Sequence, residues 1–159
     1  MPVSGPKEAR DEMLTRMKAA IDASSYSTIV VKYADAQRSQ PRGDSDDGGD
    51  PATPTAPGGH PWLHAMIQHS TGGAATLGGV GGKRRHEQTG TIIVEVRTPV
   101  GDGLDRSDDL VKIVLDAYRT GGATPGGIQF RNAAPNEVGA SGAWHITECR
   151  IDFEYDEIV

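Results

Sequence analysis

Gln88-Thr-Gly-Thr-Ile-Ile-Val-Glu-Val-Arg-Thr-Pro-Val-Gly-Asp-Gly-Leu104 couples the clearest strand of the chain to its clearest helix. Ile92, Val94 and Val96 alternate with Thr91, Glu95 and Arg97, and only Ile93 breaks the alternation, so the period is two. One face of this strand is expected to be buried and the other mixed. Pro99 has no N–H for a ladder, and Gly101 and Gly103 favour a turn. The strand therefore stops there, and the chain reverses into Asp105-Arg-Ser-Asp-Asp109, an acidic helix start. In the helix that follows, Leu110, Val111, Val114, Leu115 and Tyr118 form one stripe, with Arg119 near the end and Gly121-Gly122 beyond.

Upstream, Ser4 or Gly5 can cap a helix with Pro6 in its first turn, and Ala9, Met13, Met17 and Ala20/Ile21 recur at helical spacing. An amphipathic helix is expected from about residue 6 to 23. Tyr26 to Ala34 is rich in β-branched and aromatic residues and reads as a first strand, with Ile29, Val31 and Tyr33 on one face and Val30 and Lys32 on the other. Trp62 to His69 reads as a second strand. Leu63, Ala65 and Ile67 share one of its faces; Trp62, His64, Met66 and Gln68 share the other, an unusual set for solvent.

Residues 35–60 shift to Gln, Ser, Asp, Gly, Pro and Thr, with almost nothing to bury, and read as a long mobile loop. Its acids Asp44, Asp46, Asp47 and Asp50 resemble a calcium loop, but Gly48 replaces a ligand and Thr55 stands where the bidentate Glu belongs. Their expected role is that of a flexible docking loop. Residues 70–89 read as a Gly-rich hairpin carrying the basic run Lys83, Arg84, Arg85 on one arm. That run is either a solvated loop face or a site that docks an acidic patch on a partner.

Downstream, Ile128 and Phe130 suggest a short strand, and 132–142 a polar turn region. Trp144 to Tyr155 alternates well, with Cys149, Ile151, Phe153 and Tyr155 opposite Glu148, Arg150, Asp152 and Glu154. Trp144 and Ile146 fall on the otherwise charged face. Either a bulge flips the register between Ile146 and Cys149, or another subunit buries that end. Hairpin-like connections favour antiparallel neighbours. The expectation is one α+β domain over residues 1–159, a mostly antiparallel sheet of about five strands with two helices packed on one face.

Composition narrows the function. A formal charge of -6 argues against a protein whose main task is gripping nucleic acid. The lone Cys149 excludes an intrachain disulfide framework, and no apolar run approaches the roughly 20 residues of a membrane span. The N-terminal residues hold no signal-peptide hydrophobic region, so a soluble protein of a reducing compartment is expected.

Tests for chemistry fail one after another. The run from Gly78 to Lys83 has Leu77 and Arg84 where a phosphate loop needs Gly and Ser or Thr, and a strand follows instead of a helix. His60, His64 and His69 offer ring nitrogens for a His-dependent metal hydrolase, but the stretch reads as strand and no second ligand cluster accompanies them. Cys149 sits on the buried face, and Ser141 lacks the spacing of a nucleophile elbow. No catalytic residue, cofactor or metal is expected, and the chain reads as no enzyme.

The series Trp62…Ile67-Gln-His, Gly78-x-x-Gly81 through Lys83-Arg84-Arg85, Gly90 to Gly103, Asn136-Glu-Val-Gly139…Gly142-Ala-Trp144 and Phe153-Glu-Tyr-Asp-Glu157 resembles the tail terminator proteins of long-tailed bacteriophages. The resemblance covers nearly the whole chain and departs from it in the insertion from Asp35 to His60. It implies a small α+β virion structural protein that assembles into a hexameric ring on the head-proximal end of the tail. Such a ring caps the tail tube, terminates its polymerisation and presents the head-attachment surface. The implied partners are further copies of the chain, the tail tube protein and a head–tail connector protein, with DNA passing through the channel unbound and no membrane involved. On this reading Trp62, Met66, Trp144 and Ile146 are subunit interface, and Lys83, Arg84 and Arg85 dock the tube or a neighbour. The alternative is a head-completion or neck protein bridging portal and tail.

Overall fold

A computed structural model describes residues 2–33, 60–74, 84–101 and 103–158. The elements run α1 (Pro6–Asp22), β1 (Val30–Tyr33), β2 (Trp62–Ala74), β3 (Arg85–Pro99), α2 (Asp105–Arg119), β4 (Gln129–Ser141) and β5 (Trp144–Ile158). Among the described residues the sheet has five strands in the order β1-β2-β3-β5-β4. Every pairing is antiparallel except β1 with β2, which is parallel and spans only Val30–Tyr33. The α+β class and the two helices on one face hold.

Both helices form for reasons visible in their ends. At α1, Gly5 caps, Pro6 occupies the first turn where its missing N–H costs nothing, and the Ser4 N–H and hydroxyl both donate to Glu8 Oε2 at 2.6 and 2.5 Å. Ala9, Met13, Met17 and Ile21, four residues apart, form the buried stripe. In α2, Asp105 and Asp108 sit at the positive end of the helix dipole, and Leu110, Val111, Val114, Leu115 and Tyr118 are buried. Arg16 pins the helices together, donating to the Ala117 carbonyl at 2.6 Å and the Gly122 carbonyl at 2.8 Å. The Tyr118 hydroxyl, fully enclosed, donates to the Met13 carbonyl at 3.0 Å.

The stripes meet the odd-numbered face of β2 (Leu63, Ala65), the even-numbered face of β3 (Ile92, Val94, Val96) and the odd-numbered face of β5 (Cys149, Ile151, Phe153, Tyr155). Burying one such side chain contributes roughly 1.5–3 kcal/mol. Gly90 is required here. A Cβ on it would stand 2.2 Å from the Gln68 carbonyl oxygen and 2.4 Å from Phe153 Cζ.

Several sequence expectations are corrected. The first strand starts at Val30, because 25–28 is a turn, and it runs parallel to β2 although hairpin-like neighbours were expected. The second strand does not stop at His69 but continues to Ala74 past a register shift between His69 and Thr71. β3 begins at Arg85, so part of the basic run belongs to the strand. The polar stretch 132–142, expected as turn, lies mostly in β4, which extends to Ser141. β4 is an edge strand with little to bury, so it carries no alternation to read. Two bulges interrupt it, with Asn132 (φ 53) and Gly139 (φ 98) in left-handed conformations. β5 pairs with β3 without interruption from Trp144 to Ile158, so no bulge flips its register.

Candidate functional site

The sheet face away from the helices carries Trp62, Met66, Trp144 and Ile146. In register across it stand Lys32, His64, Glu95, Glu148 and Asn136. Beside them lie Trp62, Arg97 and Ile146, and then Trp144.

Trp62 is 1% and Trp144 2% exposed; with Ile146, Val30 and Ala143 they form a second small core. Their rings meet edge to face at 6.1 Å between centroids. The two tryptophans and Ile146 are thus buried within their own chain, not left for a neighbouring subunit to cover. Met66 is half-buried and outside this cluster. The expected interface of Trp62, Met66, Trp144 and Ile146 does not form one exposed patch.

Two cations lie over the Trp62 ring, Lys32 Nζ at 4.8 Å and Arg97 Cζ at 5.1 Å from its centroid. Arg97 also donates two hydrogen bonds to Glu95 Oε2, at 3.1 and 2.7 Å, and His64 Nδ1 lies 3.4 Å from the same oxygen. His64 and Arg97 together hold the Glu95 carboxyl well below the usual range, at about 2. Glu95 is therefore a fixed anion, not a proton acceptor near neutral pH. Among the described residues the indole N–H groups of Trp62 and Trp144 and Nε2 of His64 are buried without a hydrogen-bond partner.

Further along this face the charges are paired and wet. Arg150 donates to Glu148 at 3.1 and 2.9 Å, Asn132 and Thr91 donate to Asp152 at 2.9 and 3.1 Å, and Arg131 pairs with Glu154. This is how a solvated sheet face neutralises itself.

The three histidines do not converge. His60 is exposed ahead of β2, and His64 faces outward. His69 packs on the helix side against Phe153 and Tyr155, its Nε2 3.0 Å from the Tyr155 hydroxyl. Among the described residues no group of three or more His, Cys, Asp or Glu is placed to hold a metal ion. Burial pushes the Cys149 thiol up to about 12, which keeps it from being a nucleophile.

Of the basic run, Lys83 lies outside the described residues, as do Asp44, Asp46, Asp47 and Asp50 of the expected docking loop. Arg84 is exposed, and Arg85 opens β3 opposite Ile158 and pairs with Asp156. At the other end of β3 the turn exposes Val100 and Leu104. The 15 residues of β3 separate these two ends by about 50 Å.

Sequence reading passed over two edge features. One is a 180 Å³ groove between α1 and β2 lined by Leu14, Tyr33, Met66 and Ile67 with Arg10 at its rim. The other is Val138, a lone aliphatic in the polar run of β4, 54% exposed. Its isolation between Glu137 and Gly139 is the signal that could have found it.

No protein-family model matches the sequence, and no curated protein does. A solved structure matches 92% of this chain and 92% of its own at a TM-score of 0.57 and 14% identity, a likeness that shows the fold alone. Among the described residues no helix is long and apolar enough to cross a membrane.

Proposed function

We propose that this chain is a structural subunit of a phage tail, assembling into a hexameric ring that caps the tail tube, ends its polymerisation and presents the surface to which the head attaches. The observation that carries the reading is the two-ended sheet. One face is committed to the helices, while 15-residue β3 and β5 run between two exposed ends of different chemistry. Val100 and Leu104 mark one end, Arg84, Arg85 and Ile158 the other. A ring subunit that must bind a tube below and a connector above needs two such ends, and the motif resemblance across nearly the whole chain points the same way. The net charge of -6 suits a channel through which DNA slides without sticking, since like charge suppresses phosphate contacts. The location that follows is the head-proximal end of the virion tail.

The test is a capping assay. Purified protein added to polymerising tail tube protein halts elongation and leaves tubes with a ring at one end by electron microscopy; tubes that keep lengthening refute the reading. Reversing Lys83, Arg84 and Arg85 to Glu keeps the fold and weakens capping, because charges at a docking surface steer encounter. Binding to portal complexes instead of tubes moves the protein to the neck.

A further inference from the structure

The two edges of the sheet differ in a complementary way. On one side, among the described residues, β1 pairs with β2 from Trp62 to Ala65. Past that pairing a 180 Å³ groove lies between α1 and β2. Leu14, Tyr33, Met66 and Ile67 make its walls apolar, and Arg10 at its rim has no hydrogen bond or ion pair among the described residues.

On the other side, Glu137 and Gly139 of β4 face Thr147 and Ile146, consecutive residues of β5. Val138 is therefore the extra residue of a bulge, made possible by the positive φ of Gly139, and it stands exposed. Beside it Glu137 is exposed and likewise without a partner among the described residues. One edge thus offers an apolar knob with an anion beside it, the other an apolar hole with a cation beside it.

We infer that Val138 of one copy seats in the Leu14–Tyr33–Met66–Ile67 groove of the next copy, with Glu137 paired to that copy's Arg10. The contact is heterologous, using two different surfaces of the same chain, so it repeats from copy to copy until the rotation closes a ring. Side chains and not backbone ladders make it, because Pro135 and the two bulges deny β4 the regular row of donors that strand addition needs. Knob and groove lie about four residues apart along the strands, roughly 14 Å, so the strands incline to the ring axis. One valine and one ion pair do not hold two subunits by themselves. Closure gives every copy two contacts, which makes assembly steeply dependent on concentration.

This inference rests on the ring reading for closure, and its test is separate from capping. Native mass spectrometry and sedimentation follow the oligomeric state, and thermal unfolding checks each variant's fold. A double variant with Arg10→Cys and Glu137→Cys, treated with a short bismaleimide that spans the two long side chains it replaces, gives a ladder of covalent multimers ending at the ring, with buried Cys149 taking no part; a folded double variant that stays uncrosslinked at concentrations where wild type assembles overturns the contact. Val138→Lys raises the concentration for half-assembly roughly tenfold or more. Glu137→Arg does likewise and Arg10→Glu restores assembly in the same chain; failure of that rescue overturns the pairing. Wild-type protein that remains monomeric at every concentration also overturns it. Rings that survive these substitutions and still cap tubes sink the contact alone, whereas rings lost on substitution from a protein that never caps tubes uphold the contact and sink the proposed function.

Discussion

Replacing Trp144 with Ala decides whether the outer-face tryptophans are core or interface. The side chain is 2% exposed, edge-on to Trp62 at 6.1 Å, and packed with Ile146. An aromatic of this size buries roughly 150–250 Å², which at about 25 cal/mol per Å² corresponds to some 4–6 kcal/mol as an upper bound. Ala keeps part of that burial, and measured Trp and Phe truncations cost about 3–5 kcal/mol. The small size of this cluster places Trp144→Ala near the lower end, about 3 kcal/mol, or a fall in Tm of roughly 6–12 °C for a domain of this length. Trp144→Phe separates packing from hydrogen bonding. Among the described residues the indole N–H has no partner, so its removal forfeits no bond with them, and most of the ring packing survives; a cost below about 1.5 kcal/mol is expected. Thermal and urea unfolding by circular dichroism, at concentrations where the protein is monomeric, measures both. A Trp144→Ala monomer melting within 2 °C of wild type, a margin of about 1 kcal/mol or less, refutes the assignment to the monomer core. On the same reasoning Trp144→Glu unfolds the chain instead of yielding a folded monomer.

Two further outcomes follow. Glu95 has its carboxyl lowered to about 2, so the folded state holds the anion more firmly than the unfolded chain; its contribution is complete above pH 4.5 and is lost as the pH falls towards 2. The difference in stability between wild type and Glu95→Gln should therefore shrink over that window in acid-unfolding curves, and a constant offset would contradict it. Gly90→Ala places a Cβ against backbone that cannot yield, so destabilisation of about 1–3 kcal/mol or more is expected by urea unfolding, and a neutral result would show that β2 can slide past β3 at this point.

The elements that were legible in the sequence are those with a dry side. The stripe from Leu110 to Tyr118 and the alternations of β3 and β5 each bury one face against a common core, and burial is what writes periodicity into a sequence. β4 escaped because its side chains are mostly exposed and its bulges break the period twice. The far part of β2 escaped because glycines and small polar residues beyond the bulge leave nothing to alternate. The alternation places Trp144 and Ile146 correctly on the charged face and leaves a bulge or another subunit to account for them, whereas their cover is Trp62, Val30 and Ala143 of the same chain. The pairing of Trp62 with Trp144 arises only through β3, which joins residues more than eighty positions apart, and no local pattern reports it. Arg10 and Glu137 were invisible for a simpler reason. A surface charge becomes notable only when its surroundings show that it has no partner.

The position of β5 between β3 and β4 has a consequence for the order in which the chain is made. β2 and β3 can pair as soon as both have been synthesised, but the second edge of β3 waits for β5, whose register runs from Arg85 opposite Ile158 to Pro99 opposite Trp144. At roughly 5–20 residues per second, a ribosome needs on the order of 3–12 s to travel from the end of β3 to the end of β5. Throughout that interval Ile92, Val94 and Val96 lie on a strand with one edge unpaired. A nascent copy beside another on the same message therefore has an open edge to offer, and partner-strand exchange between nascent copies is the misassembly that crowded synthesis should favour.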